Sequence, residues 1–99
     1  MTQINLDYVL KTAEGEDIKR GEVPFTARQA IREGLLADVA GKPTPPEEMI
    51  QCDDLQNKLR SGNPELTPEE LVLAKKWCGL AWNKLIYPQC VKVIEGKVL

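Results

Sequence analysis

Threonine stands three residues ahead of glutamate or glutamine at three places, TARQ at 26–29, TPPE at 44–47 and TPEE at 67–70. In a capping box the threonine hydroxyl accepts from the backbone N–H three residues on. The Glu or Gln side chain reaches back to the threonine N–H. The second and third copies also put proline at the first helical position, where its missing donor costs nothing. Each copy precedes helix-compatible sequence, so the spacing predicts three helix starts.

Helix one is expected over about 27–40, with Ile31 and Leu35 on one face, flanked by Ala27, Ala30 and Val39. Gly41 and the prolines after it stop it. Helix two is expected over about 45–60, burying Cys52, Leu55 and Leu59, with Met49 at the edge. Helix three is expected from Pro68 to about Tyr87. Pro88 then either kinks it or opens a short fourth helix that Gly96 ends. The N-terminus reads differently. Ile4, Leu6, Tyr8 and Leu10 recur with a period of two, the signature of a half-buried strand. A turn around Gly15 lets 17–20 pair back. A hairpin this small is marginal alone and must pack on the helices. The expected fold class is therefore α+β: one domain over 1–99, a β-hairpin at 1–22 and a bundle of three to four α-helices at 26–96.

Helix three is richer in apolar residues than one buried face requires. Leu71, Ala74, Cys78, Ala81 and Leu85 form one stripe, and Leu73, Trp77 and Leu80 a second. Together they span an arc of about 200°, against ~100° for a surface helix. Two readings stay open. Helix three could be central, covered by helix one, helix two and the hairpin, with Trp77 buried and Trp82 nearer the surface. Alternatively the Leu73 and Leu80 edge could face a partner or a second copy of the chain, since exposed apolar patches mark interfaces. Charge is also segregated. Residues 43–57 carry Glu47, Glu48, Asp53 and Asp54 and no base; residues 71–94 carry Lys75, Lys76, Lys84 and Lys92 and no acid. The candidate partner-binding residues are thus Leu73, Leu80, Trp82, Lys76, Lys84, Glu47, Glu48, Asp53 and Asp54.

The pattern disfavours chemistry. Histidine is absent, so no triad can be built in the usual way and the three cysteines lack an activating base. No metal-ligand spacing and no glycine-rich phosphate loop occurs. No catalytic residue, metal or cofactor is expected, and the chain reads as a non-enzyme. The net charge of −2 disfavours nucleic acid as a partner, because phosphate binding calls for a basic excess. No signal sequence and no run long enough to span a bilayer is legible, and an odd cysteine count reads as free thiols, so the expected compartment is cytoplasmic.

A strand with a glycine turn, then FTARQAIREGLLAD, a helix ending LQNKLRSG, then LTPEELVLAKKW and KLIYPQCVKVIEG, follow one another along the chain. This order resembles small uncharacterised proteins encoded by tailed bacteriophages and prophages, over most of the sequence. It departs from them in having AEGE where a plain Asp-Gly turn would stand, and in its tryptophan-rich third helix. The resemblance implies a viral origin and a protein-binding role inside the bacterial cell. Together with the lack of chemistry and the compact, acidic, well-capped scaffold, the expected function is a module that binds a host or phage protein stoichiometrically. It carries no catalytic residue. Two other roles stay open: a nucleic-acid-associated regulator using the lysines of helix three, and a minor virion or assembly component.

Overall fold

The computed structural model describes residues 5–38, 41–60 and 62–96. The fold is α+β, a two-stranded antiparallel hairpin followed by four helices. The elements are β1 (Lys19–Arg20), β2 (Val23–Pro24), α1 (Ala27–Leu36), α2 (Pro46–Lys58), α3 (Pro68–Ala81) and α4 (Ile86–Ile94).

The hairpin forms one reversal later than the alternation predicts. Lys19 pairs with Pro24 and Arg20 with Val23, around Gly21 at φ 66°. The turn at Gly15 also exists, closed by its N–H to the Thr12 carbonyl at 2.9 Å and by a bridge from Lys11 to Asp17. Neither segment extends into a long strand, because three chain segments meet in a ring. Leu10 N–H donates to Phe25 O, Phe25 N–H to Ile18 O, and Ile18 N–H to Leu10 O, all at 2.8–2.9 Å. A turn also interrupts the period-two run, with Tyr8 N–H donating to Asn5 O. Leu6 and Leu10 are fully buried, while Tyr8 is only half-buried. Ile4 lies outside the described residues.

The three helix starts diverge in chemistry. At α3 the box is complete: Thr67 Oγ1 accepts from Glu70 N–H at 3.2 Å, and Glu70 Oε1 from Thr67 N–H at 2.8 Å. At α1 only the threonine half forms, with Thr26 Oγ1 accepting from Gln29 N–H at 3.4 Å. At α2 the box predicted at Thr44 does not form. Pro45 precedes Pro46, and the following proline ring forces it out of helical geometry. Pro45 is extended (φ −59°, ψ 144°), and the helix starts at Pro46 with no side-chain cap.

Two helix ends come earlier than expected. Helix α1 stops at Leu36, not Ala40, and Ala37 is extended. Asp38 would be an acid at the negative end of a longer helix, an unfavourable placement. Val39 lies outside the described residues. Helix α3 stops at Ala81, not Tyr87. Trp82 is extended, and Asn83 starts a new helix by accepting from Leu85 N–H at 3.0 Å and Ile86 N–H at 2.9 Å through Oδ1. Asparagine competes with helix backbone in just this way. Pro88 then falls in the first turn of α4, where no N–H is needed. Leu85, expected on the α3 stripe, is 39% exposed. Asn83→Ala should lower stability by about 1 kcal/mol, read by urea denaturation; no change would mean that the break at Trp82 is set by packing alone.

Helices α1 and α3 form the central pair, with α2 and α4 beside them. Each of the two packs against the other and against both flanking helices, while α2 and α4 do not meet among the described residues. Helix α3 is thus central, as one reading holds, but shares that place with α1 and is covered by α4 rather than by the hairpin. Gly34 permits the close approach: a Cβ there would lie 3.1 Å from Cys78 Sγ and 3.3 Å from Cys78 Cα. The bare turn also leaves the Ala30 carbonyl open to a second donor, the Trp82 indole N–H at 2.7 Å. Helix α4 buries Ile86, Cys90, Val93 and Ile94 at helical spacing. Its Gln89 amide takes Lys11 N–H at 2.8 Å and donates to Lys11 O at 2.9 Å, so a side chain pairs with the N-terminal segment as a strand would.

Candidate functional site

Helices α2 and α3 are tied together by ion pairs at two points. Lys58 meets Glu70 at 2.8 Å near the start of α3, and Lys76 meets Glu48 at 2.8 Å near the start of α2. Along these helices a groove of about 430 Å³ opens, lined by Glu48 and Gln51 of α2 and by Pro68, Glu69, Val72, Leu73 and Lys76 of α3. A neighbouring depression of about 250 Å³ shares Gln51, Glu69 and Leu73 with it and adds Asp54, Leu55 and Glu70. Leu73 packs on the core with its inner side and stands half-exposed in the groove. Val72, at 68% exposure, is the most solvent-exposed of the large apolar side chains among the described residues.

Trp77 fixes the back of this site. It is 2% exposed, and its indole N–H donates to Glu48 Oε1 at 3.3 Å. Lys76 Nζ lies 5.3 Å from the Trp77 ring centroid. The Lys76 hydrogen bond, helped by that of Trp77 and opposed by burial, holds the Glu48 carboxyl below the usual range. Glu70 is also lowered: burial pushes it up, but bonds from Lys58 and from the Thr67 backbone and hydroxyl outweigh this. A carboxyl with a depressed folded pKa contributes stability above its unfolded value and loses it as pH falls through the folded one. Thermal stability should therefore drop on acidification from about pH 7 to about pH 3, and Glu48→Gln should flatten that decline. Parallel melting-temperature profiles for the two proteins would show that Glu48 contributes nothing to it.

Leu73, Lys76, Glu48 and Asp54 come together around the groove, and the other expected residues do not. Glu47 is exposed on the first turn of α2. Asp53 accepts from Gln56 at 3.2 Å and Asn57 at 3.4 Å within α2, and Gln56 in turn accepts from Arg32 of α1. Leu80 is 36% exposed, and Lys84 is exposed beyond the end of α3. Trp82, half-buried as expected relative to Trp77, turns inward on the Ala30 carbonyl and lies 5.7 Å from the Phe25 ring. The expected cover of the Leu73 and Leu80 edge by α1 or the hairpin is not found: α1 packs on the Cys78 side, and Leu73 opens toward α2. The lysines do not make one free face either, because Lys75 pairs with Glu95 at 3.5 Å and Lys76 with Glu48. Gln51, Pro68, Glu69 and Val72 were not legible as site residues. Val72 offered the one signal, an apolar β-branched residue opposite the Ala74 and Cys78 stripe.

The thiols are sequestered. Cys52, Cys78 and Cys90 are all reduced and buried. Burial, with the Glu48 charge behind it, raises the Cys52 thiol; a hydrogen bond with Cys90, together with burial, raises Cys78 far above the ordinary range. Neither presents a thiolate nucleophile. Among the described residues no group of three His, Cys, Asp or Glu converges on a metal-sized site, and no helix is long and apolar enough to cross a membrane. Comparison with protein-family models, with curated proteins and with solved structures gave no match.

Proposed function

We propose that the protein is a small phage-encoded binding module that acts stoichiometrically on a host or phage protein in the bacterial cytoplasm, without catalysis. The observation that carries this reading is the groove between α2 and α3, where Leu73 and Val72 stand open although the chain has few apolar residues to spare. Two buried, non-nucleophilic thiols and the lack of any histidine support the absence of catalysis. The phage origin rests on the order of sequence motifs from FTARQ to KVIEG. The nucleic-acid reading is weakened by the pairing of Lys75 and Lys76 with carboxylates. A homodimer is the other form of protein contact the groove could serve. Affinity capture from bacterial lysate should yield a protein at fixed stoichiometry with the bait. Recovery of nucleic acid or a small molecule in its place would overturn the proposal.

A further inference from the structure

We infer that the α2–α3 groove takes an amphipathic helix of a partner protein whose apolar side chains are flanked by lysine or arginine. This rests on the protein-binding reading above and names the chemistry of the partner. The groove supplies an apolar floor from Leu73, Val72 and Pro68. A helix laying its apolar face between two helices is a recurrent mode of recognition. The rim supplies charge of one sign. Glu48, Asp54, Glu69 and Glu70 line the two connected depressions, against Lys76 alone. Glu48 and Glu70 are already engaged by Lys76 and Lys58. Asp54 on the α2 wall and Glu69 on the α3 wall are exposed and have no basic partner among the described residues. Two carboxylates on opposite walls of an apolar cleft focus a negative potential, which attracts a cationic occupant and repels an anionic one.

The probes are two synthetic amphipathic peptides of about four helical turns, identical in their leucines, one carrying lysines and the other glutamates at the flanking positions. Tryptophan emission is the readout, because the Trp77 indole is bonded to Glu48 at the groove wall. The lysine peptide should bind at least about tenfold more tightly than the glutamate peptide, with an advantage that salt reduces. In the variant Asp54→Lys with Glu69→Lys that preference should invert. Equal binding of the two peptides, or a preference that survives charge reversal, overturns the inference. So does self-association of the protein that Val72→Arg abolishes, since the occupant is then a second copy of the chain. If neither peptide binds while Val72→Arg still releases a captured protein, the basic helix is wrong and the protein-binding reading stands.

Discussion

Replacing Trp77 with alanine is expected to destabilise the protein by about 3–5 kcal/mol. That is a large share of the ~5–15 kcal/mol typical of a domain. The side chain is almost wholly buried as part of the hydrophobic core, so its removal leaves a cavity that the packed helices close only in part. It also strips Glu48 of a donor and Lys76 of an aromatic face. Trp77→Phe separates these effects. It keeps most of the apolar volume and loses the indole N–H, a net loss of about 0.5–1.5 kcal/mol for the hydrogen bond beyond any packing change. Urea denaturation of the three proteins gives the comparison. A loss below about 1 kcal/mol for Trp77→Ala would mean that the ring is not part of the cooperative core.

Gly34→Leu should be nearly as damaging, at about 3 kcal/mol, the upper end of overpacking. The first added carbon already meets Cys78 Cα at 3.3 Å, and a helix backbone cannot step aside as a side chain can. The remaining carbons would push α1 and α3 apart and displace the Trp82 indole from the Ala30 carbonyl. Gly79 provides the contrast on the side of α3 that faces α4. The three nearest atoms to a Cβ there all belong to the half-buried Tyr87 ring, the first at 3.3 Å, and the far end of a side chain gives way more easily than backbone. Gly79→Ala should be neutral or stabilising by up to ~1 kcal/mol through helix propensity. Melting temperatures falling for Gly34→Leu and holding for Gly79→Ala would locate the tight contact; equal falls would refute it.

Helix existence was legible because it depends on local chemistry. Thr67 and Glu70 lie three residues apart and need nothing else to find each other, and the Ala27 to Leu35 spacing already marks the face that α1 buries. Boundaries were less legible where two local signals competed. Pro45 answers to Pro46 rather than to Thr44, and the Asn83 side chain overrules the apolar run that continues past Ala81. The N-terminal register was hidden for a different reason. Leu10 bonds to both Ile18 and Phe25, a three-way closure that alternation along one segment does not encode. The inward turn of Trp82 depends on Gly34, 48 positions earlier, leaving a carbonyl bare, and no period in either helix reports it. The groove was half-visible. Leu73, Lys76, Glu48 and Asp54 were marked by surplus hydrophobicity and segregated charge, whereas Glu69 and Val72 join them only through the way α2 lies against α3.

The claim that this groove is the protein's working surface is tested most directly by capture with one substituted side chain. Val72 is 68% exposed in the groove and Val23 is 58% exposed on β2, which contributes nothing to the groove lining. Val72→Arg and Val23→Arg should both keep the wild-type melting temperature, since neither residue belongs to the core. Bait protein carrying Val23→Arg should retain the partner that the wild type captures from bacterial lysate, and bait carrying Val72→Arg should lose it. Retention of that partner by folded Val72→Arg protein would contradict the account.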